Sequence, residues 1–203
     1  QSIEKDNKCR KVTVGPSESM SKSKKNTIDP EDIIKNYGAD SARLFILSDS
    51  PPEKDVQWSD EGISSSHKFL QKLWQLDQII SEEIAKDHDE DPKNNLSKYT
   101  NQYLKKMTEN LKNFSYNKLI ANLHEMYSFL NSEIKKNYSK KTIIENYGKI
   151  LTTMMPIIPH FASECIEKNN IKIEKIWPSY DEKILIEENV NFVVQINGKK
   201  RGL

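Results

Sequence analysis

From Asp60 onward, apolar residues return every three or four positions, and this spacing limits what the chain can become more than any other feature. Ile63, Leu70, Leu73, Trp74, Ile80 and Ile84 fall on one side of a helix. Tyr103, Leu104, Met107, Leu111 and Phe114 mark a second helix, and Leu119, Leu123, Met126, Tyr127, Leu130 and Ile134 a third. A fourth starts near Lys140 and carries Ile143, Ile144, Tyr147, Leu151, Met154 and Met155. It ends near Pro156 and Pro159, because proline lacks the amide donor that a helix interior needs. Pro159-His160-Phe161-Ala162-Ser163-Glu164 then opens a last helix. Each helix has a single stripe to cover, so four to five of them on short links are expected to form an antiparallel bundle. The run Lys86-Asp87-His88-Asp89-Glu90-Asp91-Pro92-Lys93 reads as a solvated connection without metal-ligand spacing, and no metal site is expected.

The pattern changes on both sides of the bundle. Val12 and Val14 flank Thr13 before Gly15-Pro16, which suggests a short strand or hairpin. Asp29-Pro30-Glu31-Asp32 is a helix start: Asp29 can cap, Pro30 suits the first helical position, and Glu31 and Asp32 suit the positive end of the dipole. Gly38 stops that helix, and Asp40 is expected to cap a second short one carrying Arg43, Leu44, Phe45 and Leu47. After Trp177-Pro178, Ile184 to Ile186 and Val190 to Ile196 lead into Asn197-Gly198, a strong hairpin signal. The expected fold is mainly α. Residues 1–60 form a small α/β region, 61–178 the bundle, and 179–203 a short β-hairpin segment.

Composition restricts the function classes. The 203 residues are 35% hydrophobic and 30% charged, with a formal net charge of +1, so no overall basic field attracts nucleic acid. Contact with RNA would have to come from local lysine clusters. Cys9 and Cys165 stand apart without metal-ligand spacing and read as reduced thiols. No apolar run reaches membrane-span length and the start resembles no signal peptide, so a cytoplasmic protein with no membrane partner is expected. The four histidines, His67, His88, His124 and His160, sit in unrelated local settings, and His160 at a helix start reads as packing or capping.

The stretch Ser19-Met20-Ser21-Lys22-Ser23-Lys24-Lys25-Asn26 is the most suggestive chemically. It has no apolar period and reads as a mobile loop of ammonium groups and hydroxyl donors, groups that can hold phosphate. Lys22, between two serines, is placed to track charge developing on a phosphate. The loop lacks the glycines of a phosphate-cradling turn, so it would close over a nucleotide bound mainly elsewhere. The plain alternative is a solvated basic loop.

Met20-Ser21-Lys22-Ser23 resembles the KMSKS loop of class I aminoacyl-tRNA synthetases. The resemblance continues through Asn26, Asp29-Pro30, Tyr37-Gly38-Ala39-Asp40, Arg43-Leu44, Ser50-Pro51-Pro52-Glu53-Lys54-Asp55 and Trp58-Ser59-Asp60-Glu61-Gly62. The stretch from Ser50 to Asp55 is typical of the leucine-specific members, so leucine is the implied amino acid. Lys22 matches the family's second loop lysine, which contacts ATP during adenylate formation, while Ser19 stands where the family has its first lysine. The resemblance implies an enzyme that joins leucine to tRNA(Leu) using ATP with Mg2+ through a leucyl-adenylate. Its helical part would be the anticodon-binding domain, and residues 1–60 the end of the catalytic domain with a stem-contact region. Val194 to Gly202 would open the C-terminal tRNA-binding domain.

Lys24, Lys25, Arg43, Lys199, Lys200 and Arg201 are candidate tRNA contacts, with Arg43 equally readable as a structural ion-pair partner. The His-x-Gly-His pair and the nucleotide fold of such enzymes are absent, so the chain is expected to be an inactive piece of a longer monomer that holds no cofactor tightly. Alternatives are a fragment of an isoleucyl, valyl or methionyl enzyme, or a non-catalytic tRNA-binding module.

Overall fold

A computed structural model describes residues 3–5, 11–13, 15–49, 51, 53–86, 88, 95–174, 176–185, 194–196 and 199–202. Cys9, most of the 86–93 connection and the Asn197-Gly198 turn fall outside them. The elements run β1 (Ile3–Lys5), β2 (Lys11–Thr13), α1 (Pro30–Tyr37), α2 (Ala39–Asp49), α3 (Asp60–Lys86), α4 (Asn95–Lys112), α5 (Tyr116–Glu133), α6 (Lys140–Met154) and α7 (Pro159–Lys168). A 3-10 turn (Glu182–Leu185), β3 (Val194–Ile196) and β4 (Lys199–Gly202) follow. The molecule is therefore mainly helical, and its two strand pairs are both antiparallel.

The chain divides into two compact units, Gln1–Asn36 and Tyr37–Leu203. In the first, Asp29 caps α1 as expected: its Oδ1 accepts the Glu31 amide at 2.9 Å and its carbonyl accepts the Ile33 amide. None of residues 15–36 is buried, and Met20, Ile28 and Ile34 present exposed apolar side chains.

In the second unit, α2 to α7 surround one core. Leu44, Leu73, Ile80, Tyr103, Met107, Leu123, Met126, Ile143, Leu151 and Phe161 are all buried in it. The stripes read from the sequence supply most of these side chains, and their burial is the main stabilising term. Two members of the stripes stay exposed. Trp74 lies at the rim, 37% exposed, with its ring edge-on to Phe161 at 4.8 Å. Phe114 is 62% exposed because α4 ends two residues before it, at Lys112, and the chain turns there with Phe114 at φ 51°. That left-handed residue closes α4, with the Ser115 amide donating to the Asn110 carbonyl, and swings the ring into solvent.

The second compact unit begins before residue 60. Residues 37–60 belong with the bundle, because α2 packs on α3, α5 and α7 and buries Leu44 and Phe45. Asp40 also differs from expectation. Its helix begins at Ala39, and its buried carboxylate caps α7 instead, accepting the Phe161 amide at 2.7 Å and the His160 amide at 3.4 Å. His160 Nδ1 adds a contact at 2.9 Å. The N-terminal amides of α7 lack partners within their own helix, so a carboxylate from 120 residues away satisfies them.

A second buried carboxylate ties three helices. Asp77 on α3, with 0% exposure, accepts from Tyr147 on α6 at 3.0 Å, Lys168 on α7 at 2.7 Å and Asn169 at 2.9 Å. Beyond α7 the chain runs back along α4. Trp177 Nε1 donates to Thr108 at 2.9 Å, and the Asp181 amide donates to Asn101 Oδ1 at 2.7 Å.

Candidate nucleotide loop and nucleic-acid interface

The Ser19–Asn26 stretch folds as overlapping turns rather than an open loop. The Lys24 and Lys25 amides donate to the carbonyls of Ser21 and Lys22, both at 3.2 Å, and Lys25 adopts φ 53°. Asn26 staples the ends: its Oδ1 accepts the Ser21 amide at 2.8 Å and its Nδ2 donates to the Ser19 carbonyl at 3.3 Å. An amide side chain can do both because it carries a donor and an acceptor side by side. The hydroxyls of Ser21 and Ser23 meet at 3.2 Å.

Lys22 sits at the crown of these turns. It is exposed, and no described carboxylate pairs with its ammonium, whereas Lys24 is held by Glu18 at 2.9 Å. Met20, Lys22, Ser23 and Lys25 are all exposed, and Ser21 is partly covered. The turns thus carry the unpaired Lys22 ammonium between the two serines whose hydroxyls meet, groups suited to a phosphate oxygen.

Arg43, an exposed side chain, is held by backbone carbonyls. Its Nε donates to the Ile157 carbonyl at 2.8 Å and its Nη2 to the Pro156 carbonyl at 2.6 Å. The guanidinium thus satisfies carbonyls in the α6–α7 link, where proline and the helix end leave them without amide partners. It pairs with no described carboxylate. Lys199, Lys200 and Arg201 lie on β4, where Lys199 pairs in register with Ile196 and Lys200 with Gln195.

A feature that sequence reasoning passed over lies between α3 and α5. A groove of about 420 Å³ is lined by Lys68, Phe69 and Lys72 on α3 and by His124 and Tyr127 on α5. The His124 ring lies on the Phe69 ring at 3.7 Å with 26° between planes, and Tyr127 meets Phe69 edge-on at 6.0 Å. Burial, together with the Lys72 charge, holds His124 below the usual histidine range and favours its neutral form. The signal available in the sequence was Lys68 and Lys72 at i and i+4 around an aromatic residue. No cluster of three His, Cys, Asp or Glu side chains able to hold a metal occurs among the described residues. No described helix is long and apolar enough to cross a membrane.

Comparison with known proteins places this architecture. The family model described as the anticodon-binding domain of tRNA ligase matches residues 93–203, and that of class I tRNA synthetases (I, L, M and V) matches residues 12–59. The chain belongs to the anticodon-binding domain family of tRNA ligases. The curated relatives it resembles include several named leucine–tRNA ligase. A leucine–tRNA ligase of Bartonella tribocorum is 37% identical over 203 residues, covering 94% of this chain and 23% of its own length. One from Bradyrhizobium sp. is 38% identical over 210 residues, covering 94% and 24%. The chain therefore spans about a quarter of the length of these relatives. In structure it matches a LeuRS of Agrobacterium radiobacter K84, solved as a ternary complex with tRNA and LeuAMS, with a TM-score of 0.74 and 21% identity. That match covers 90% of this chain and 24% of the other, and it shows a shared fold.

Proposed function

We propose that this chain works within a leucine–tRNA ligase, where the Ser19–Asn26 turns close over ATP and the helical unit holds tRNA(Leu). The observation that carries the reading is the state of Lys22. Its ammonium is exposed, free of any described carboxylate, and mounted on turns stapled by Asn26. A cation held ready in this way can follow negative charge as it builds on the phosphates during leucyl-adenylate formation, stabilising the transition state more than bound ATP. Ser21 and Ser23 keep the turn in shape through their mutual hydrogen bond.

The uncovered apolar side chains of Met20, Ile28 and Ile34 support placing residues 1–36 within a larger catalytic domain that buries them. The described residues offer no ligand set for Mg2+, so the ion would arrive with the ATP phosphates and no step here runs through it. The family's first loop lysine is replaced by Ser19, whose carbonyl serves the Asn26 staple; nucleotide charge would then fall on Lys22 alone among the motif positions. The stem-contact role of residues 37–60, a C-terminal tRNA-contacting domain opening at β3–β4, a monomeric enzyme and a cytoplasmic location all follow from the same assignment.

The test is ATP–pyrophosphate exchange with leucine in the longer ligase that contains this chain. Lys22→Ala should slow exchange by roughly a hundredfold or more, in line with losing one charge-stabilising donor. An unchanged rate refutes the role of Lys22.

A further inference from the structure

We infer that the groove between α3 and α5 is a phosphate-backbone site for RNA, with Lys68 and Lys72 as its charged contacts. The inference rests on the tRNA-holding role proposed above and assigns that role to particular residues. Lys68 and Lys72 stand one turn apart on α3, both exposed, and neither has a carboxylate partner among the described residues. Like charges at i and i+4 repel and weaken a helix by about 0.2–0.5 kcal/mol, a cost that an anion between them would reverse. Some other lysines on the bundle are neutralised, Lys106 by Glu125 at 2.8 Å, Lys136 by Glu133 at 2.7 Å and Lys149 by Glu145 at 3.1 Å.

The rest of the groove suits the same ligand. Glu125, the acidic residue beside His124, is tied to Lys106. Ser65 adds a hydroxyl at the wall able to donate to a phosphate or ribose oxygen, while the Ser128 hydroxyl, which donates to the His124 carbonyl at 3.0 Å, can accept from a ribose hydroxyl. The stacked Phe69 and His124 rings form an uncharged floor against which a sugar or base face can rest. With the net charge of the whole chain at only +1, RNA attraction must come from local groups of unneutralised lysines, and Lys68 and Lys72 are one such pair.

The test measures binding of an unmodified tRNA(Leu) transcript to the 203-residue chain across salt concentration, with the helical circular dichroism of every variant checked first. Lys68→Ala combined with Lys72→Ala should lower the slope of log K against log salt by about two, one per phosphate contact. Over one decade of salt that difference is about a hundredfold in affinity at 0.1 M relative to 1 M. Arginine at both positions should keep the slope, and Lys149→Ala should leave it unchanged. Wild-type binding with an unaltered slope in the double alanine variant overturns the inference and spares the proposed function. An equal drop for Lys149→Ala overturns it in favour of a diffuse field. Absence of any binding by the wild-type chain at low salt overturns the inference and leaves the assignment of Lys22 standing. Polyglutamate displacing the transcript at equal charge concentration reassigns the groove to an acidic peptide and also overturns it.

Discussion

Replacing Asp40 with alanine removes the group that holds the start of α7 to α2, and the cost can be worked from the contacts. Asp40 is 4% exposed and its Oδ2 accepts the buried Phe161 amide at 2.7 Å. Losing an N-cap carboxylate costs about 0.5–2 kcal/mol. Leaving the Phe161 amide buried without an acceptor adds about 1–3 kcal/mol, of which part is already counted in the cap. The His160 side chain is 76% exposed, so its pairing with Asp40 adds little. A total of about 2–4 kcal/mol follows, and at about 2–4 °C per kcal/mol for a chain of this size the melting point should fall by roughly 5–15 °C. Urea unfolding followed by circular dichroism should show a lower midpoint at an unchanged slope. Asp40→Asn should cost most of the same, because its amide nitrogen would face one of the two backbone donors. His160→Ala should cost under about 0.5 kcal/mol. A destabilisation of Asp40→Ala below about 0.5 kcal/mol would refute the idea that this long-range cap matters.

Three further outcomes are expected. A Cβ added at Gly62 would lie 2.5 Å from the Phe45 ring, which packs edge-on against Trp58. Gly62→Ala should therefore destabilise by about 1–2 kcal/mol, overpacking outweighing the gain in helix propensity, with a change in tryptophan fluorescence. Cys165 is buried, and burial, with the nearby Asp77 charge, pushes its thiol well above the usual range. In a Cys9→Ser background, a disulfide reagent at pH 8 should label the chain only once urea unfolds it. His124 has a folded pKa below its unfolded value of 6.5, so its contribution to stability is complete above about pH 6.5 and is lost as pH falls through the folded value. Urea midpoints of wild type should therefore drop between pH 7 and 5 by more than those of His124→Gln, and equal drops would contradict the assignment.

The sequence shows the bundle plainly and its joints poorly. Helices α3 to α7 announce themselves because each has a stripe of side chains whose burial dominates the energy, and a stripe is a local pattern. Phe114 misleads because nothing in a phenylalanine marks the left-handed turn it occupies; the carbonyls ending α4 decide that conformation. Asp40 misleads for a different reason. A cap is normally sought within its own helix, and no local rule reveals that the amides of α7 come within 2.7 Å of it. The same long-range packing joins residues 37–60 to the helical unit. At the candidate sites, Lys22 was legible from its motif. The Asn26 staple that presents Lys22 and the groove opposite Lys68 and Lys72 appear only once turns and helices are folded.

The return path after α7 has a mechanical consequence. Trp177 and the Asp181 amide fasten the outgoing segment to two points on α4, at Thr108 and Asn101. Tension applied downstream of Leu185 would reach α4 through these anchors before it could peel α7 from the core. Helix α4 thereby serves as the strut that sets the direction in which the chain departs.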